Sequence, residues 1–172
     1  TTMDWGSGLI ELIFQHIPKT GGTSLRKELA RNFDSARYFK RGDLQPSTCR
    51  QYAFVSGHAP LHRFLKLDPT VKIVTLIRHP LERFLSAVHQ ARKSGHPESQ
   101  GRVAQAMRTM HLSEFVRTDL VQRPATLQSR LLAGSSAAAR LPAHERIEAA
   151  LETLRSERIL FGITEHMRFS LQ

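Results

Sequence analysis

Short apolar runs divide the chain of 172 residues into segments that predict strands. Residues 9–14 and 71–77 are rich in apolar and β-branched side chains, and similar runs lie at 52–55 and 159–163. Runs of this length, bounded by turn residues, are typical of buried strands. The sequence therefore predicts at least four strands distributed along the chain.

Between these runs, apolar residues recur at intervals of three or four, which is the spacing along one face of a helix. Residues 34–51 lack such a period and predict a basic connecting loop. Because predicted strands and helices alternate, we expect an α/β fold in a single domain over residues 1–172, with a central parallel sheet flanked by helices. The predicted helical faces include Leu25, Leu29 and Phe33; Leu81, Phe84, Leu85 and Val88; and Ile147, Ala150, Leu151 and Leu154.

The turn after the first predicted strand has the composition of an anion-binding loop. The strand is followed by Pro18, by Gly21 and Gly22, and then by a helix start. Glycines allow a backbone to approach an anion closely, and the free N–H groups of a helix N-terminus attract negative charge. Lys19 adds a full positive charge. Hydroxyl donors come from Thr20, Thr23 and Ser24.

This loop differs from a Walker A loop, in which the lysine follows the last glycine and precedes Ser or Thr. Here Lys19 precedes Gly21 and Gly22, so we expect the anion to be held differently. An ordinary glycine turn between a strand and a helix is the alternative interpretation.

Residues 16–24, His-Ile-Pro-Lys-Thr-Gly-Gly-Thr-Ser, resemble the 5′-phosphosulfate loop of the sulfotransferases that use 3′-phosphoadenosine 5′-phosphosulfate (PAPS). The similarity is greatest to the carbohydrate O-sulfotransferases, such as the heparan sulfate 2-O and 6-O enzymes. The resemblance implies a P-loop-like three-layer fold in which Lys19 also assists catalysis. The donor-binding residues that it implies in this loop are Lys19, Thr20, Gly21, Gly22, Thr23 and Ser24.

A second block, residues 78–86, begins with Arg78 at the end of the 71–77 strand. It resembles the 3′-phosphate motif of the same family, which implies that Arg78 and Ser86 hold the 3′-phosphate of the donor. Arginine can contact phosphate through two charge-assisted hydrogen bonds, and serine can donate one more. His79 occupies a position that is commonly aspartate in this motif.

His58 follows the 52–55 strand, and ligands of α/β sheets gather beyond the carboxyl ends of strands. A histidine can take a proton from a sugar hydroxyl because its pKa lies near neutrality. In the 2-O branch a histidine here is the general base, which implies the same role for His58; a histidine that only hydrogen-bonds to a loop is the alternative. His62 is a poor metal partner for His58 because Pro60 intervenes and no carboxylate is near in sequence, so no metal is expected.

Two later segments also resemble the family. Residues 126–134 are similar to a segment with the pattern Asn-x-Gln-x-Arg, which implies substrate contacts by Gln128 and Arg130, although Thr126 replaces the asparagine. Residues 161–165 are similar to a segment that closes the nucleotide site. The family normally continues further, so we expect a chain truncated at its C-terminus or an unusually small member.

The formal net charge of +10 favours an anionic partner such as a charged nucleotide, an acidic glycan, a nucleic acid or an acidic lipid surface. The single Cys49 excludes a disulfide within the chain and a cysteine zinc cluster. No apolar run of 18 residues predicts a membrane span, and residues 1–8 lack a signal-peptide pattern. The richness in Ala, Arg and Leu and the absence of a disulfide favour a bacterial cytoplasmic protein; a Golgi lumenal catalytic fragment is the alternative.

The resemblance implies an enzyme that moves a sulfuryl group from PAPS to a hydroxyl of a carbohydrate-type acceptor, leaving 3′-phosphoadenosine 5′-phosphate (PAP). A P-loop kinase or nucleotide hydrolase would need a magnesium-binding aspartate after a buried strand, where this chain has Arg78. A non-catalytic binder of glycans or nucleic acid is the other alternative. Nucleic acid is not expected, because one Trp and two Tyr offer little stacking surface.

Overall fold

A five-stranded parallel sheet forms the centre of the computed structural model, which describes residues 10–39, 44–93 and 101–167. The strands are β1 (Leu12–Gln15), β2 (Tyr38–Phe39), β3 (Phe54–Gly57), β4 (Ile73–Ile77) and β5 (Ile159–Ile163). Their order across the sheet is β2-β3-β1-β4-β5, and every pairing is parallel. The first strand of the chain therefore lies between β3 and β4.

The central position of β1 follows from its apolar sequence. Consecutive residues of a strand point to opposite faces of the sheet, and both Ile13 and Phe14 are fully buried. Ile13 belongs to a core cluster with Val55 and Ile73, whereas Phe14 belongs to a different cluster on the other face. Both faces of the sheet are thus covered, which confirms the predicted three-layer α/β fold.

Helices form the two outer layers. The described α-helices are α1 (Gly22–Ala30), α2 (Pro46–Cys49), α3 (Leu61–Leu65), α4 (Pro80–Lys93), α5 (Arg102–Thr109), α6 (Leu112–Phe115), α7 (Gln122–Ala125), α8 (Leu127–Leu132) and α9 (Ala143–Leu154). Helix α1 packs through Leu25 in the cluster of Phe14. On the opposite face, α3 and α8 contribute Phe64 and Leu131 to the cluster of Ile13.

A smaller apolar cluster joins α4 to α5 and α6. The rings of Phe84 and Phe115 stack with their centroids 6.2 Å apart, and Val88 and Met107 complete the contact. This cluster anchors α4, the helix that begins just after the end of β4.

The prediction of a basic connecting loop at residues 34–51 is wrong in part, because this segment contains β2 and α2. Strand β2 has only two residues, which is too short for a periodic signal. It is formed by pairing with β3 in the register Tyr38↔Phe54 and Phe39↔Val55. The rings of Tyr38 and Phe54 also stack, with centroids 4.8 Å apart.

The predicted buried faces of two helices, α4 and α9, are also wrong in part, because some of their apolar residues are exposed. On α4, Leu81 and Leu85 are 55% and 37% exposed, whereas Arg83 is buried and its guanidinium donates a hydrogen bond to the carbonyl of Pro124. On α9, Ile147 and Leu151 are 48% and 42% exposed. The apolar spacing is correct for a helix in both cases, but tertiary packing selects a different face.

The predicted and observed strand bounds agree best for β5, which spans the predicted residues 159–163. The other three begin two or three residues later than predicted, and Leu9 lies outside the described residues. After β5 the chain forms a short 3₁₀ turn, Thr164–His166. None of the described helices has the length and apolar content needed to cross a membrane.

Candidate functional site

The loops that follow β1, β3 and β4 meet at one edge of the sheet. The chain leaves β1 to build β2 and β3 on one side, and then returns to build β4 and β5 on the other. A crevice opens at such a switch point, beyond the carboxyl ends of the strands, and this is where α/β proteins bind ligands. The three loops carry the residues that the sequence analysis singled out.

The loop between β1 and α1 turns through two left-handed backbone positions, Lys19 at φ 72° and Gly21 at φ 75°. The left-handed region is readily accessible to glycine, but it costs a residue such as Lys19 about 1–2 kcal/mol. Strain of this kind is commonly retained at functional sites. Gly21 is the N-cap of α1 and provides no side-chain cap, so no N-cap side chain occupies the first N–H groups of the helix, which are available to an anion.

Gly22 allows α1 to begin directly against the ring of His16. A Cβ atom placed on Gly22 would overlap Cδ2 of His16 and lie 2.7 Å from its Nε2 atom. It would also lie 3.1 Å from Cζ of Phe14. Because these rings are buried and cannot move aside, the close approach requires glycine at this position.

The imidazole of His16 is a buried neutral group beneath the loop. Its ring stacks on Phe14 with centroids 5.7 Å apart and lies 4.5 Å from the ring of His58. Burial, together with the smaller effects of the nearby His58 and Arg26, lowers the pKa of His16 from 6.5 to about 4. No role for His16 was predicted, because its burial depends on contacts that the sequence does not reveal.

His58 is exposed at the crevice and is oriented by the backbone of the glycine loop. Its Nδ1 atom lies 2.7 Å from the carbonyl oxygen of His16. A carbonyl oxygen only accepts hydrogen bonds, so Nδ1 carries the proton in this contact and Nε2 of a neutral ring keeps its lone pair. This is the tautomer that a general base at Nε2 requires.

Arg78 is held in place from both its backbone and its side chain. The side-chain amide of Gln128 accepts a hydrogen bond from the N–H of Arg78 and donates one to its carbonyl, both at 2.8 Å. The guanidinium lies 3.4 Å from the carbonyl of Lys19, 3.6 Å from Glu82 and 3.7 Å from Glu165. These long ion pairs orient the guanidinium while leaving it 27% exposed to the crevice.

Thr164 joins the end of β5 to the two loops of the crevice. Its hydroxyl lies 2.7 Å from the carbonyl of Thr20 and 2.9 Å from that of Ile77. The N–H of His79 donates to Glu165 at 2.9 Å. The segment after β5 therefore braces the glycine loop against the end of β4.

These parts enclose one cleft of about 370 Å³. Of the residues predicted for the site, it is lined by Lys19, Gly21, Gly22, Thr23, His58, Arg78 and Ser86; His16 and Pro18 complete the lining. Four predicted residues do not line it: Thr20, Ser24, Gln128 and Arg130. The hydroxyl of Thr20 is buried and donates to the carbonyl of Ile17 at 2.8 Å, and the amide of Gln128 is engaged by Arg78.

Among the described residues, no group of three His, Cys, Asp or Glu side chains is placed to hold a metal ion. The cleft combines the backbone of Gly21 and Gly22 with one lysine, one arginine, threonine and serine hydroxyls and the exposed ring of His58. Such a set offers positive charge and hydrogen-bond donors to a ligand with several anionic groups.

A parallel sheet with a glycine loop after its central strand defines an α/β protein that binds phosphate-like groups at the switch point. Residues 7–156 match the model of the sulfotransferase family, and the chain belongs to that family. No curated protein matches it significantly. Membership supports the transfer of a sulfuryl group from a donor nucleotide to a hydroxyl acceptor.

The depressed pKa of His16 predicts that the folded state loses stability as the pH falls from 6.5 towards about 4. In that window the unfolded chain binds a proton at residue 16 and the folded chain does not, so acid favours unfolding. The loss should reach about 3 kcal/mol at most. Denaturant unfolding of the parent and of His16→Phe between pH 7 and 4.5 would measure it, with the parent losing more stability than the variant.

The NMR titration of the His16 ring provides an independent check of this prediction. A midpoint near 4 is expected, because burial opposes the charged form. A midpoint near 6.5, or equal pH dependence of stability in the parent and the variant, would contradict the assignment of a buried neutral ring.

Proposed function

We propose that this protein transfers a sulfuryl group from PAPS to a hydroxyl of a carbohydrate-type acceptor, with His58 as the base. One observation carries the proposal: a single cleft is lined by the glycine loop, by Arg78 and Ser86, and by His58. A donor with anionic groups at both ends of a nucleoside needs such separated anion sites. An acceptor hydroxyl needs a base beside one of them.

In this proposal the glycine loop holds the 5′-phosphosulfate. The backbone N–H groups at the start of α1 and the ammonium of Lys19 supply the positive charge. Thr23 lines the cleft and can add its hydroxyl. Thr20 and Ser24 contribute through the backbone, since the hydroxyl of Thr20 is used by Ile17. The left-handed conformation of Lys19 fits this role, because it is maintained at a cost in backbone strain.

Arg78 and Ser86 would hold the 3′-phosphate, which distinguishes PAPS from ATP. The guanidinium can exchange its long contacts with Glu82 and Glu165 for shorter, charge-assisted bonds to phosphate. Gln128 acts as a positioning residue, because it fixes the backbone of Arg78 from both sides.

The donor supplies a sulfuryl group whose leaving group is a phosphate. His58 Nε2 accepts the proton that the acceptor hydroxyl releases as its oxygen forms a bond to sulfur and the bond from sulfur to the phosphate oxygen breaks. Lys19 stabilises the charge that develops on that phosphate oxygen, a preorganised electrostatic effect. The products are a sulfate ester, PAP and a protonated His58, which returns its proton to solvent.

The carbohydrate-type acceptor is proposed from the resemblance of residues 16–24 and 78–86 to the carbohydrate O-sulfotransferases. We propose further that residues 1–172 act as one domain without a resident metal, in a bacterial cytoplasm. These proposals concern context and leave the chemistry at the cleft unchanged.

Calorimetric titration with PAP, ADP and AMP tests the donor site. PAP should bind more tightly than ADP or AMP, because only PAP carries the 3′-phosphate. Arg78→Ala should weaken PAP binding by about 10- to 100-fold, the cost of losing charge-assisted hydrogen bonds. It should leave the weaker binding of ADP almost unchanged.

Arg117→Ala is the matched control, since Arg117 is exposed and does not line the cleft. Equal affinity for PAP and ADP in the parent would favour an ATP-type nucleotide enzyme. Equal losses in Arg78→Ala and Arg117→Ala would indicate a general anion binder.

His58→Asn separates the chemical step from donor binding. Asparagine keeps an N–H group for the carbonyl of His16 but cannot accept a proton, so the rate of sulfate transfer from labelled PAPS should fall by about 10²–10⁴-fold. PAP affinity should change less than about threefold. The exposed His144 provides the control His144→Asn, which should retain full activity; a His58→Asn enzyme that is equally active would refute the assigned base.

A further inference from the structure

A second cavity of about 360 Å³ lies beside the cleft, and we propose that it binds acceptors that carry both a carboxylate and an apolar substituent. This inference rests on the proposed function and specifies its acceptor. The cavity is lined by Pro60, Val103, Arg123, Pro124, Leu127, Arg130, Leu131 and Ala139.

One short segment of the chain contributes to both spaces. His58 lines the cleft and Pro60, two residues later, lines the second cavity. The side chain of Gln15 at the end of β1 donates to the carbonyls of Ala59 and Leu131 at 3.2 and 3.0 Å. The segment that carries the proposed base is therefore fixed against the helix that lines the second cavity.

Helix α8 lines the second cavity and also fixes the backbone of Arg78, a residue of the cleft. Leu127, Arg130 and Leu131 are three and four residues apart, so they share the helix face that lines the second cavity. Gln128 lies on the adjacent face and holds the backbone of Arg78. In the proposed arrangement, a molecule in the second cavity lies against the helix that also fixes Arg78, and its hydroxyl extends past Pro60 to His58.

Most of the cavity wall is apolar, with aliphatic side chains and two prolines. Such a wall is suited to an apolar group of the acceptor, which gains free energy when it leaves water. A fully hydrated neutral glycan would leave its hydroxyls without partners there, at a cost for each unsatisfied group.

The polar part of the wall consists of two arginines, Arg123 and Arg130. In the described residues, neither Arg123 nor Arg130 has an ion pair or a side-chain hydrogen bond. Arg130 is half-buried, and a partly desolvated guanidinium favours an anionic partner. Carboxylates fit the planar fork of arginine through two parallel hydrogen bonds.

Two further guanidinium groups increase the positive potential around α8. Arg83 donates to the carbonyl of Pro124, a residue of the cavity wall. Arg146 donates to Ser129 at 3.1 Å and to the carbonyl of Leu141 at 2.8 Å. Within the described part of the chain, neither guanidinium meets a carboxylate, so both add positive charge near the cavity.

Three glycosides test the two parts of the proposal on the full chain, with and without PAP. 4-Nitrophenyl β-D-glucuronide carries a carboxylate and an apolar aglycone; 4-nitrophenyl β-D-glucoside lacks the carboxylate, and methyl β-D-glucuronide lacks the apolar aglycone. NMR titration should show that the first binds about tenfold more tightly than either of the others. The double variant Arg123→Gln/Arg130→Gln should lose the preference for the acid, whereas Arg117→Gln should retain it.

Calorimetry with PAP separates failure of this inference from failure of the proposed function. PAP affinity should be the same in the parent and in the double variant. Similar binding of all three glycosides, no binding of any of them, or a preference that survives in the double variant would overturn the acceptor assignment even where PAP binds. A loss of PAP affinity in the double variant would instead place the donor in this cavity and overturn it too.

Discussion

The contact between Gly22 and the buried ring of His16 is the constraint on which the site depends. It allows α1 to begin directly after the end of β1, so that Gly21, Gly22 and Thr23 at the start of the helix line the cleft. The same ring lies against His58, and the carbonyl of His16 accepts the hydrogen bond that orients it. One residue in the loop therefore sets both the anion site and the direction of the proposed base.

Positioning of charge, rather than its quantity, distinguishes this cleft from the rest of a basic surface. The chain carries an excess of ten positive charges, and Arg78 is fixed by partners on both its backbone and its side chain. Arg78 is fixed in this way by Gln128, Glu82 and Glu165. Thr164 adds a brace between the glycine loop and β4. Preorganised groups of this kind need little rearrangement when a charged substrate binds.

The sequence was informative where local chemistry determines structure. The apolar run of β4, the glycine pair after β1 and the proline at the start of α4 each have a strong local signal, and the predicted parallel three-layer fold is confirmed. Strand β2 could not be predicted because two residues have no period. The burial of Arg83 was not predicted, because it depends on a hydrogen bond to the carbonyl of Pro124, which is distant in sequence.

The site residues also divide into those with a local sequence signal and those whose role depends on distant contacts. The spacing of Lys19, Gly21 and Gly22 predicted an anion loop, and these residues line one cleft with Arg78, Ser86 and His58. Sequence could not show that the hydroxyl of Thr20 points into the protein, or that Gln128 contacts a backbone. Both facts depend on which neighbouring element supplies the partner, and this is determined only by the folded chain.

The central claim is that a phosphosulfate donor binds the glycine loop between β1 and α1 together with the end of β4. An NMR titration of the backbone amides with PAP tests it most directly. The account predicts that the largest shifts occur at residues 19–24, Arg78 and Ser86. Shifts confined to another basic surface, such as the groove lined by Arg26, Lys27, Arg31 and Tyr38, would contradict it.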